Sequence, residues 1–336
     1  MDQTAPINVA VIGAGVFGRN HARVYKQLAG QGEGVRLVGV VDSRLDRADA
    51  LAREFGCRGF GSIEQLTTTH SEVQAASVVV PTVDHLEVAR TLLESGLDVL
   101  VEKPLAVSLN EADELVQTAK RLGRIAQAGH LERFNPAVRA AVPLITQPMF
   151  FEVHRLSVFT PRALDVDVVL DLMIHDLDVV LSFVQSPVKE VRAVGLPILS
   201  GKVDIANVRL EFESGCVANF TASRVSTERV RKLRFFQPKQ YISIDYSRQD
   251  VLVFTVGDTG TPSANPQIGV MKPPVTSEEP LQAELKSFLN AVRTHRQPEV
   301  SLEDGRRALA VALDVLAAIQ EHGARVGLDQ LTASRL

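Results

Sequence analysis

Residues 7–20 read INVAVIGAGVFGRN, and this stretch decides the fold of the first part of the chain. A short, mainly apolar run from Ile7 to Ile12 is typical of a buried strand, and three closely spaced glycines follow it. The pattern then becomes helical through Tyr25 and Leu28. A strand, a glycine-rich turn and a helix in this order predict the opening unit of a doubly wound α/β domain.

The alternation of apolar runs and amphipathic helices continues to about residue 128. Further strands are predicted at residues 35–41, 77–80, 99–101 and 125–128, and helices at 47–55, 85–95 and 110–122. Continuous apolar strands separated by amphipathic helices are typical of a parallel sheet that is covered on both faces. We therefore predict an N-terminal Rossmann domain over residues 1–128, within an overall α/β fold class.

The pattern changes after about Pro148. A long helix is predicted at residues 168–183 and two amphipathic helices at 280–295 and 302–322. Between them lie longer runs that read as strands, at residues 188–199, 205–212, 216–224, 229–236, 241–245 and 251–255. Residues 213–215 have the composition of a hairpin turn, and residues 257–280 that of a long loop. We predict a C-terminal α+β domain over residues 129–336, with an open, mainly antiparallel sheet.

Composition excludes several classes of function. The net charge of −4 argues against nucleic acid or an anionic membrane as a partner, because both favour a basic surface. The two cysteines, Cys57 and Cys216, have no metal-ligand spacing, so we expect free thiols and no metal site. Residues 1–9 contain no apolar run of signal-peptide length, and no 18 apolar residues run together. A cytoplasmic location is therefore expected.

The glycines of the opening stretch have the G-x-G-x-x-G spacing of a dinucleotide site. Gly13 permits a tight turn, Gly15 lets the backbone approach a pyrophosphate, and Gly18 lets helix and strand pack closely. The start of the helix then offers free N–H groups to the anion. The predicted contacts with the cofactor in this part of the chain are Gly13, Gly15, Val16, Phe17, Gly18, Asp42, Ser43 and Arg44.

The acid at the end of the second strand indicates which dinucleotide binds. Asp42 is placed to accept hydrogen bonds from both ribose hydroxyls, and its charge would repel a 2′-phosphate. NAD is therefore predicted as the cofactor. Arg44 keeps NADP open, because an arginine near this position can accommodate the phosphate.

Two further groups of residues suggest the chemistry of an alcohol dehydrogenase. Glu102, Lys103 and Pro104 close a strand at the carboxyl edge of the sheet, where open α/β folds bind ligands. Asp171 and His175 stand four residues apart, on one face of an otherwise apolar helix. Alcohol oxidation needs a base, and an unperturbed histidine pKa of about 6.5 suits that task. Lysine has an unperturbed pKa near 10.4, so it would need a depressed pKa to act as the base. Otherwise it would stay charged and stabilise the alkoxide.

Taken together, the motifs resemble the glucose-fructose oxidoreductase / inositol dehydrogenase (Gfo/Idh/MocA) family. The resemblance lies in GAGVFGRNHA (13–22), VVVPTVDHLEVA (78–89), LVEKPLAVSLNEADELV (100–116), GHLERFNPAV (129–138) and DLMIHDLD (171–178). It implies a Rossmann domain and a larger domain whose open sheet forms homodimers or homotetramers. It further implies that Lys103, Asp171 and His175 are catalytic. Pro81, Thr82 and His85 are implied at the nicotinamide half of the cofactor, and Glu102 and Lys103 are predicted cofactor contacts as well.

A narrower resemblance, to bacterial UDP-N-acetylglucosamine 3-dehydrogenases, is carried by residues 129–138, 171–180, 202–226 and 232–246. It implies that carbon 3 of a nucleotide sugar gives hydride to NAD, and that a transaminase then aminates the ketone for lipid A. His130, Arg133 and Asn135 would then lie beside the sugar, together with Lys103, Asp171 and His175. Arg224 is either a ligand of the diphosphate or an ordinary arginine of the sheet surface.

Several alternatives stay open at this stage. The basic run Arg229, Arg231, Lys232 and Arg234 either steers an anionic substrate or forms a solvated or intersubunit strand face. The substrate can instead be a free sugar, an inositol or a tetrapyrrole, although alcohol chemistry is favoured by Lys103, Asp171 and His175. A catalytically inactive NAD sensor is a further reading, and it predicts damage at Lys103 or His175. Both residues are intact.

Overall fold

The structure is a computed structural model of the chain, and it describes residues 5–160, 165–257 and 267–327. Contacts within the chain group it into two compact units. The first comprises Met1–Leu131 and Glu279–Leu309, and the second comprises Glu132–Glu278 and Ala310–Leu336.

The first unit contains a six-stranded parallel sheet in the order β3-β2-β1-β4-β5-β6. Its strands are β1 (Ile7–Ile12), β2 (Val35–Val41), β3 (Arg58–Phe60), β4 (Ala75–Val78), β5 (Asp98–Glu102) and β6 (Ala126–Gly129). Its first five helices are α1 (Val16–Gly30), α2 (Leu45–Phe55), α3 (Ile63–Thr69), α4 (His85–Glu94) and α5 (Leu109–Leu122). This is the strand order of a Rossmann fold, and the predicted parallel sheet is confirmed.

The segment Glu279–Leu309 belongs to the first unit by its contacts, whereas the sequence prediction placed everything after residue 128 in the second domain. The physical reason is the apolar face of helix α8 (Pro280–Thr294). Leu285 and Phe288 of this helix are fully buried in one core with Tyr25, Leu28 and Val9. Burying this face removes a large apolar area from water, so the helix is held on the parallel sheet.

The second unit is built on an eight-stranded sheet in the order β14-β13-β12-β11-β7-β10-β9-β8. Every neighbouring pair is antiparallel except β7 and β10, which confirms the predicted mainly antiparallel sheet. The strands are β7 (Phe150–Val158), β8 (Val188–Leu196), β9 (Ile205–Phe212), β10 (Val217–Ser226), β11 (Val230–Gln237), β12 (Gln240–Asp245), β13 (Asp250–Gly257) and β14 (Gln267–Met271). Strand β14 lies where the composition predicted only a loop, so that prediction was wrong for these five residues.

One face of this sheet is the inner face, against which helix α7 (Ile174–Phe183) packs. Phe151 and Phe235 stack there with ring centroids 5.4 Å apart, and Phe183 of α7 lies 5.8 Å from Phe235. This unit also contains α6 (Pro136–Ala141) and, from Ala310 onward, α9 (Leu302–Val326). The remaining face of the sheet, which we call the outer face, carries the side chains that alternate with these buried ones.

Two properties of the described residues bear on function. None of their helices combines the length and apolar character needed to cross a bilayer. Their thiols, Cys57 and Cys216, form no disulfide, and burial raises the pKa of each to about 11.

Candidate active site

The glycine-rich loop between β1 and α1 has the geometry of a phosphate-binding turn. Gly13 has φ of +111°, and a Cβ atom there would lie 2.6 Å from the carbonyl oxygen of Val79. A Cβ atom on Gly18 would lie 1.8 Å from the carbonyl oxygen of Gly13. Both positions therefore require glycine. A Cβ atom on Gly15 would meet nothing within 4 Å, so the space in front of this residue is open.

The open space lies at the start of helix α1. No side chain caps this helix, and the first N–H groups of an α-helix have no partner within the helix. They carry the positive end of the helix dipole, which attracts an anion. Val16, in this first turn, is 80% exposed. The loop thus offers backbone donors and room for a pyrophosphate.

Asp42, at the end of β2, is held in place by two backbone groups. One carboxylate oxygen accepts from the N–H of Ala14 at 2.8 Å, and the other accepts from the N–H of Arg44 at 2.9 Å. The carboxylate is therefore fixed beside the glycine-rich loop as a hydrogen-bond acceptor. The Arg44 side chain is itself paired with Asp46 at 2.9 Å.

A pocket of about 740 Å³ joins these features. Of the predicted cofactor residues, it is lined by Gly13, Gly15, Val16, Phe17, Asp42, Ser43, Arg44 and Pro81. Arg47 of α2 also lines it, as do Ser62 and Ile63. The sequence analysis missed Ser62 and Ile63 because the three-residue strand β3 before them gives almost no pattern. The residues present fit a dinucleotide: open backbone donors for the phosphates and a fixed acid for a ribose.

Apart from Gly18, the other predicted cofactor residues lie at the end of β5 or in the segments that follow β4 and β5, and they are Thr82, His85, Glu102 and Lys103. Glu102 accepts from the Nε2–H of the His21 ring at 3.1 Å in a buried pair, and it also accepts from the backbone N–H of Lys103 at 3.3 Å. A Cβ atom on Gly129 would come within 2.9 Å of Glu102, so glycine is required there as well. Lys103 is half-buried and precedes Pro104 through a cis peptide. His21 was missed because a lone histidine on a helix gives no motif.

His85 is buried beneath this loop and does not line the pocket. Its Nδ1 lies 2.9 Å from the carbonyl oxygen of Pro104, and its Nε2 lies 3.0 Å from that of Val80. Burial lowers the pKa of His85, while the carbonyl groups oppose this change. His85 therefore connects the end of β4 to the loop that carries Lys103. Thr82 begins the short 3-10 turn that leads to His85.

The predicted helix 168–183 is interrupted in the structure. Residues Val169–Met173 form a π-helical turn, and α7 begins only at Ile174. Asp171 lies half-buried in this π turn, and His175 lies in the first turn of α7 with 8% exposure. π turns within helices are frequent at functional sites. Of the two helix residues predicted to be catalytic, Asp171 thus lies within a local irregularity of the helix and His175 lies just after it.

Asp176, the residue after His175, has a structural role. Its carboxylate accepts two hydrogen bonds from Arg155 of β7, whose guanidinium also donates to Glu132 at 3.0 Å. Burial opposes the charge of Arg155, but Asp176 and Glu132 raise its pKa well above the ordinary value. The guanidinium also lies over the ring of Tyr246, 5.1 Å from its centroid. Arg155 and Glu132 were missed because they are distant in sequence and share no motif with Asp176.

The three residues predicted beside the sugar lie in and after the segment that follows β6. His130 is buried directly after the strand. Arg133 pairs with Asp178 at 3.4 Å. Asn135 is buried and caps α6 by accepting from the N–H of Ala137, while its amide donates to Glu132 and to the carbonyl of Tyr246. Roles in substrate binding for these residues stay predictions.

Arg224 of β10 is buried rather than on the sheet surface. Its guanidinium donates to the carbonyl oxygen of Val166 and lies 3.7 Å from Asp204. Asp204 in turn accepts from the backbone N–H groups of residues 198–200. Arg224 thus holds a loop of the second unit, and its predicted contact with a diphosphate stays untested.

Comparison with known proteins places this geometry in a family. Residues 7–130 match the model of the Gfo/Idh/MocA oxidoreductase family with an NAD-binding Rossmann fold, and residues 144–242 match the model of its C-terminal domain. A UDP-N-acetylglucosamine 3-dehydrogenase from Acidithiobacillus ferrooxidans is 36% identical over 94% of this chain and 97% of its own length.

Solved structures and more distant relatives agree with this assignment. A solved UDP-N-acetylglucosamine 3-dehydrogenase from Acidithiobacillus ferrooxidans has a TM-score of 0.86 and 34% identity, over 94% of this chain and 98% of that one. A myo-inositol 2-dehydrogenase from Thermotoga maritima is 25% identical over 94% of this chain and 97% of its own length. With both domain models matched and a relative of nearly equal length, the chain belongs to the Gfo/Idh/MocA family of NAD-binding oxidoreductases.

Proposed function

We propose that the protein oxidises the 3-hydroxyl of UDP-N-acetylglucosamine, or of a closely related nucleotide sugar, to the 3-ketone with NAD as the acceptor. One observation carries this proposal: the 3-dehydrogenase from Acidithiobacillus ferrooxidans matches the chain nearly end to end at 36% identity. The intact Lys103, Asp171 and His175 support it, because an inactive NAD-binding protein would have no need to keep all three.

The reaction requires a proton acceptor and a group that stabilises negative charge on the substrate oxygen. Bound NAD supplies the hydride acceptor. His175, if neutral, takes the hydroxyl proton, and Lys103, as an ammonium group, stabilises the developing alkoxide. The reverse assignment requires a lysine with a depressed pKa. Asp171, one turn before His175, orients the ring or its proton.

The identity of the cofactor follows from Asp42. Its carboxylate is already fixed by two backbone N–H groups, so it presents acceptor capacity to ribose hydroxyls without reorganising. A 2′-phosphate would bring negative charge to the same place. Arg44 is paired with Asp46 and is therefore less available to compensate that charge.

The product would be a nucleotide sugar with a ketone at carbon 3. A transaminase would consume it to give a 2,3-diamino sugar for lipid A, so the proposal places the enzyme in the cytoplasm with its nucleotide-sugar substrate. A second candidate is oxidation of a free polyol, and the full-length similarity to a myo-inositol 2-dehydrogenase supports that alternative.

The experiment incubates purified protein with NAD and, in separate reactions, UDP-N-acetylglucosamine, N-acetylglucosamine and myo-inositol. NADH absorbance reports turnover. We expect turnover with the nucleotide sugar and at most trace rates with the other two. Turnover on myo-inositol alone would replace the proposed substrate by the polyol, and the Lys103→Met variant provides the background rate.

The proposal includes a homodimer or homotetramer formed through the outer face of the second unit's sheet. Four aromatic rings form a continuous row across neighbouring strands there, from Phe150 through Phe236 and Tyr241 to Phe254, at centroid distances of 4.8–5.8 Å. Beside this row, Ile268 and Val270 of β14 are 67% and 62% exposed. Contiguous exposed apolar residues of this kind mark interaction surfaces. Light scattering on the protein as it elutes from a size-exclusion column should give a mass of at least two chains.

A further inference from the structure

The basic run Arg229–Arg234 is divided between the two faces of the sheet by strand β11. Leu233 and Phe235 are fully buried on the inner face, so Arg231 belongs to that face too. Lys232 and Arg234 lie on the outer face. There Lys232 approaches Asp245 at 3.9 Å and Arg234 pairs with Glu152 at 3.2 Å. The outer-face cations of the run are thus already paired with carboxylates.

Arg231 differs from these two cations. Its direct cross-strand partner is Arg155 of β7, and residues in direct register share one face. Like charges in this position are destabilising. Arg155 is satisfied by Asp176 and Glu132, whereas no carboxylate of the described residues lies within ion-pair distance of Arg231. Arg231 is nevertheless half-buried, and burial together with the charge of Arg155 lowers its pKa.

The charges around Arg231 leave an excess of positive charge. The charged groups that act on it are Arg155, Arg229, Glu132 and Asp176. Three guanidinium groups therefore share two carboxylates, and both carboxylates bind Arg155. The excess lies beside the candidate catalytic helix, because Asp176 directly follows His175 in the chain. An anion bound by Arg231 would relieve the repulsion between Arg231 and Arg155.

We propose that Arg231, assisted by Arg229, binds the phosphate oxygens of the nucleotide-sugar substrate; this inference rests on the proposed function. A guanidinium group donates two parallel hydrogen bonds to a phosphate, and partial burial strengthens that interaction. Arg224, the other buried arginine considered for this task, already donates to the Val166 carbonyl and lies beside Asp204. Arg231 on the inner face of β11, with the exposed Arg229 just before the strand, thus sets the substrate class by selecting sugars that carry a phosphate group.

The experiment compares Arg231→Gln with Arg234→Gln, a matched control on the same strand but on the outer face. Calorimetry measures the binding of UDP, N-acetylglucosamine 1-phosphate and NAD, and steady-state kinetics measures KM and kcat for UDP-N-acetylglucosamine. For Arg231→Gln we expect the Kd for UDP and the KM to rise about tenfold or more, since one charged contact is lost. The kcat should change less than about threefold, because the lost contact is made equally in the ground and transition states. NAD binding should be unchanged, and so should all properties of Arg234→Gln.

The outcomes separate this inference from the proposed function. Equal affinity of Arg231→Gln and the unaltered protein for UDP would overturn the inference while leaving the proposed function intact. Failure of the unaltered protein to bind either UDP or N-acetylglucosamine 1-phosphate would also overturn the inference. Arg231-dependent binding of UDP without oxidation of UDP-N-acetylglucosamine would support the inference and reject the proposed substrate. If Arg231→Gln does not fold, Arg231→Lys keeps the charge but loses the bidentate geometry, and its Kd for UDP should rise several-fold.

Discussion

Asp176 accepts two hydrogen bonds from the guanidinium of Arg155, at 2.6 and 2.9 Å, and this pair ties helix α7 to strand β7. Both side chains are nearly inaccessible to solvent. Because His175 directly precedes Asp176, the pair also fixes the backbone from which the candidate catalytic histidine projects. Stability and the position of the histidine therefore depend on one buried interaction.

Replacing Arg155 by Met should destabilise the protein strongly, because Asp176 and Glu132 would be left as unpaired buried carboxylates. Loss of one partner from a buried ion pair costs about 3–5 kcal/mol of the free energy of unfolding. Urea unfolding measures this cost. The control is Arg234→Met, which breaks the more exposed pair with Glu152 and should cost less than about 1 kcal/mol. Equal costs for the two variants would show that the buried pair stabilises the protein no more than the exposed pair does.

Lys103→Met and His175→Gln should each lower kcat by at least ~100-fold, the lower end of what a positioned acid or base contributes. The His175 variant should retain NAD binding in calorimetry, because His175 does not line the pocket at the glycine-rich loop. His154→Gln is a control for a histidine of the second unit, on β7 away from α7. Full activity of the Lys103 or His175 variant would remove that residue from the mechanism.

Patterns of local sequence predicted the parts of the fold that have a clear period. The strands β1 and β2 are buried apolar runs, and both have the predicted limits. Strand β7, FFEVHRLSV, was missed because the charged Arg155 occupies an inner-face position and breaks the alternation of apolar and polar residues after Val153. Strand β14 is exposed along its whole length and therefore has no apolar pattern to recognise.

Local sequence patterns predicted only part of the candidate site as well. The loop containing Gly13 and the acid Asp42 could be predicted because each requirement is met by one residue at a fixed spacing. The partnership of His21 with Glu102, 81 residues apart, could not, because no local pattern links a helix to a strand end. The division of the basic run between two faces also needed the register of β11 with β7, which the sequence of one strand does not contain.

Gly15→Ala should leave folding intact but weaken NAD binding by about tenfold or more. The added methyl group would meet no protein atom within 4 Å, yet it would occupy the space where the backbone must approach the pyrophosphate. Calorimetry with NAD tests the weakened binding, and thermal unfolding without NAD tests whether the fold is intact. Gly30→Ala at the other end of α1 also meets no atom and should change neither property. Unimpaired NAD binding in Gly15→Ala would contradict the assignment of this loop to the pyrophosphate.

Asp42→Ala should raise the Kd for NAD and reduce the preference for NAD over NADP, because a fixed acceptor for ribose hydroxyls and a charge that repels a 2′-phosphate are both lost. We expect a change of the Kd ratio by about tenfold or more. Asp46→Asn releases Arg44 but keeps Asp42, so NAD should remain the preferred cofactor in that variant. An unchanged ratio of the Kd values for NAD and NADP in Asp42→Ala would mean that other residues of the pocket discriminate between the two riboses.

The buried His85 should make the folded protein sensitive to acid. Burial lowers its pKa below the ordinary value of 6.5, so the folded state holds the neutral ring while the unfolded state takes up a proton at higher pH. The unfolded state then binds more protons, and the free energy of unfolding falls as the pH falls. The stabilisation is complete above pH 6.5 and is lost progressively as the pH falls toward the folded-state pKa, with a slope of at most about 1.4 kcal/mol per pH unit for one proton.

His85→Gln should therefore have two separable effects on urea unfolding. At neutral pH it should cost about 1–3 kcal/mol, because a buried carbonyl of Pro104 or Val80 loses its donor. Between about pH 7 and pH 5 it should also flatten the dependence of the unfolding free energy on pH, since glutamine does not titrate. The unaltered protein, measured over the same pH range, gives the reference slope. If the His85 variant kept that slope too, the acid sensitivity would have to come from another group.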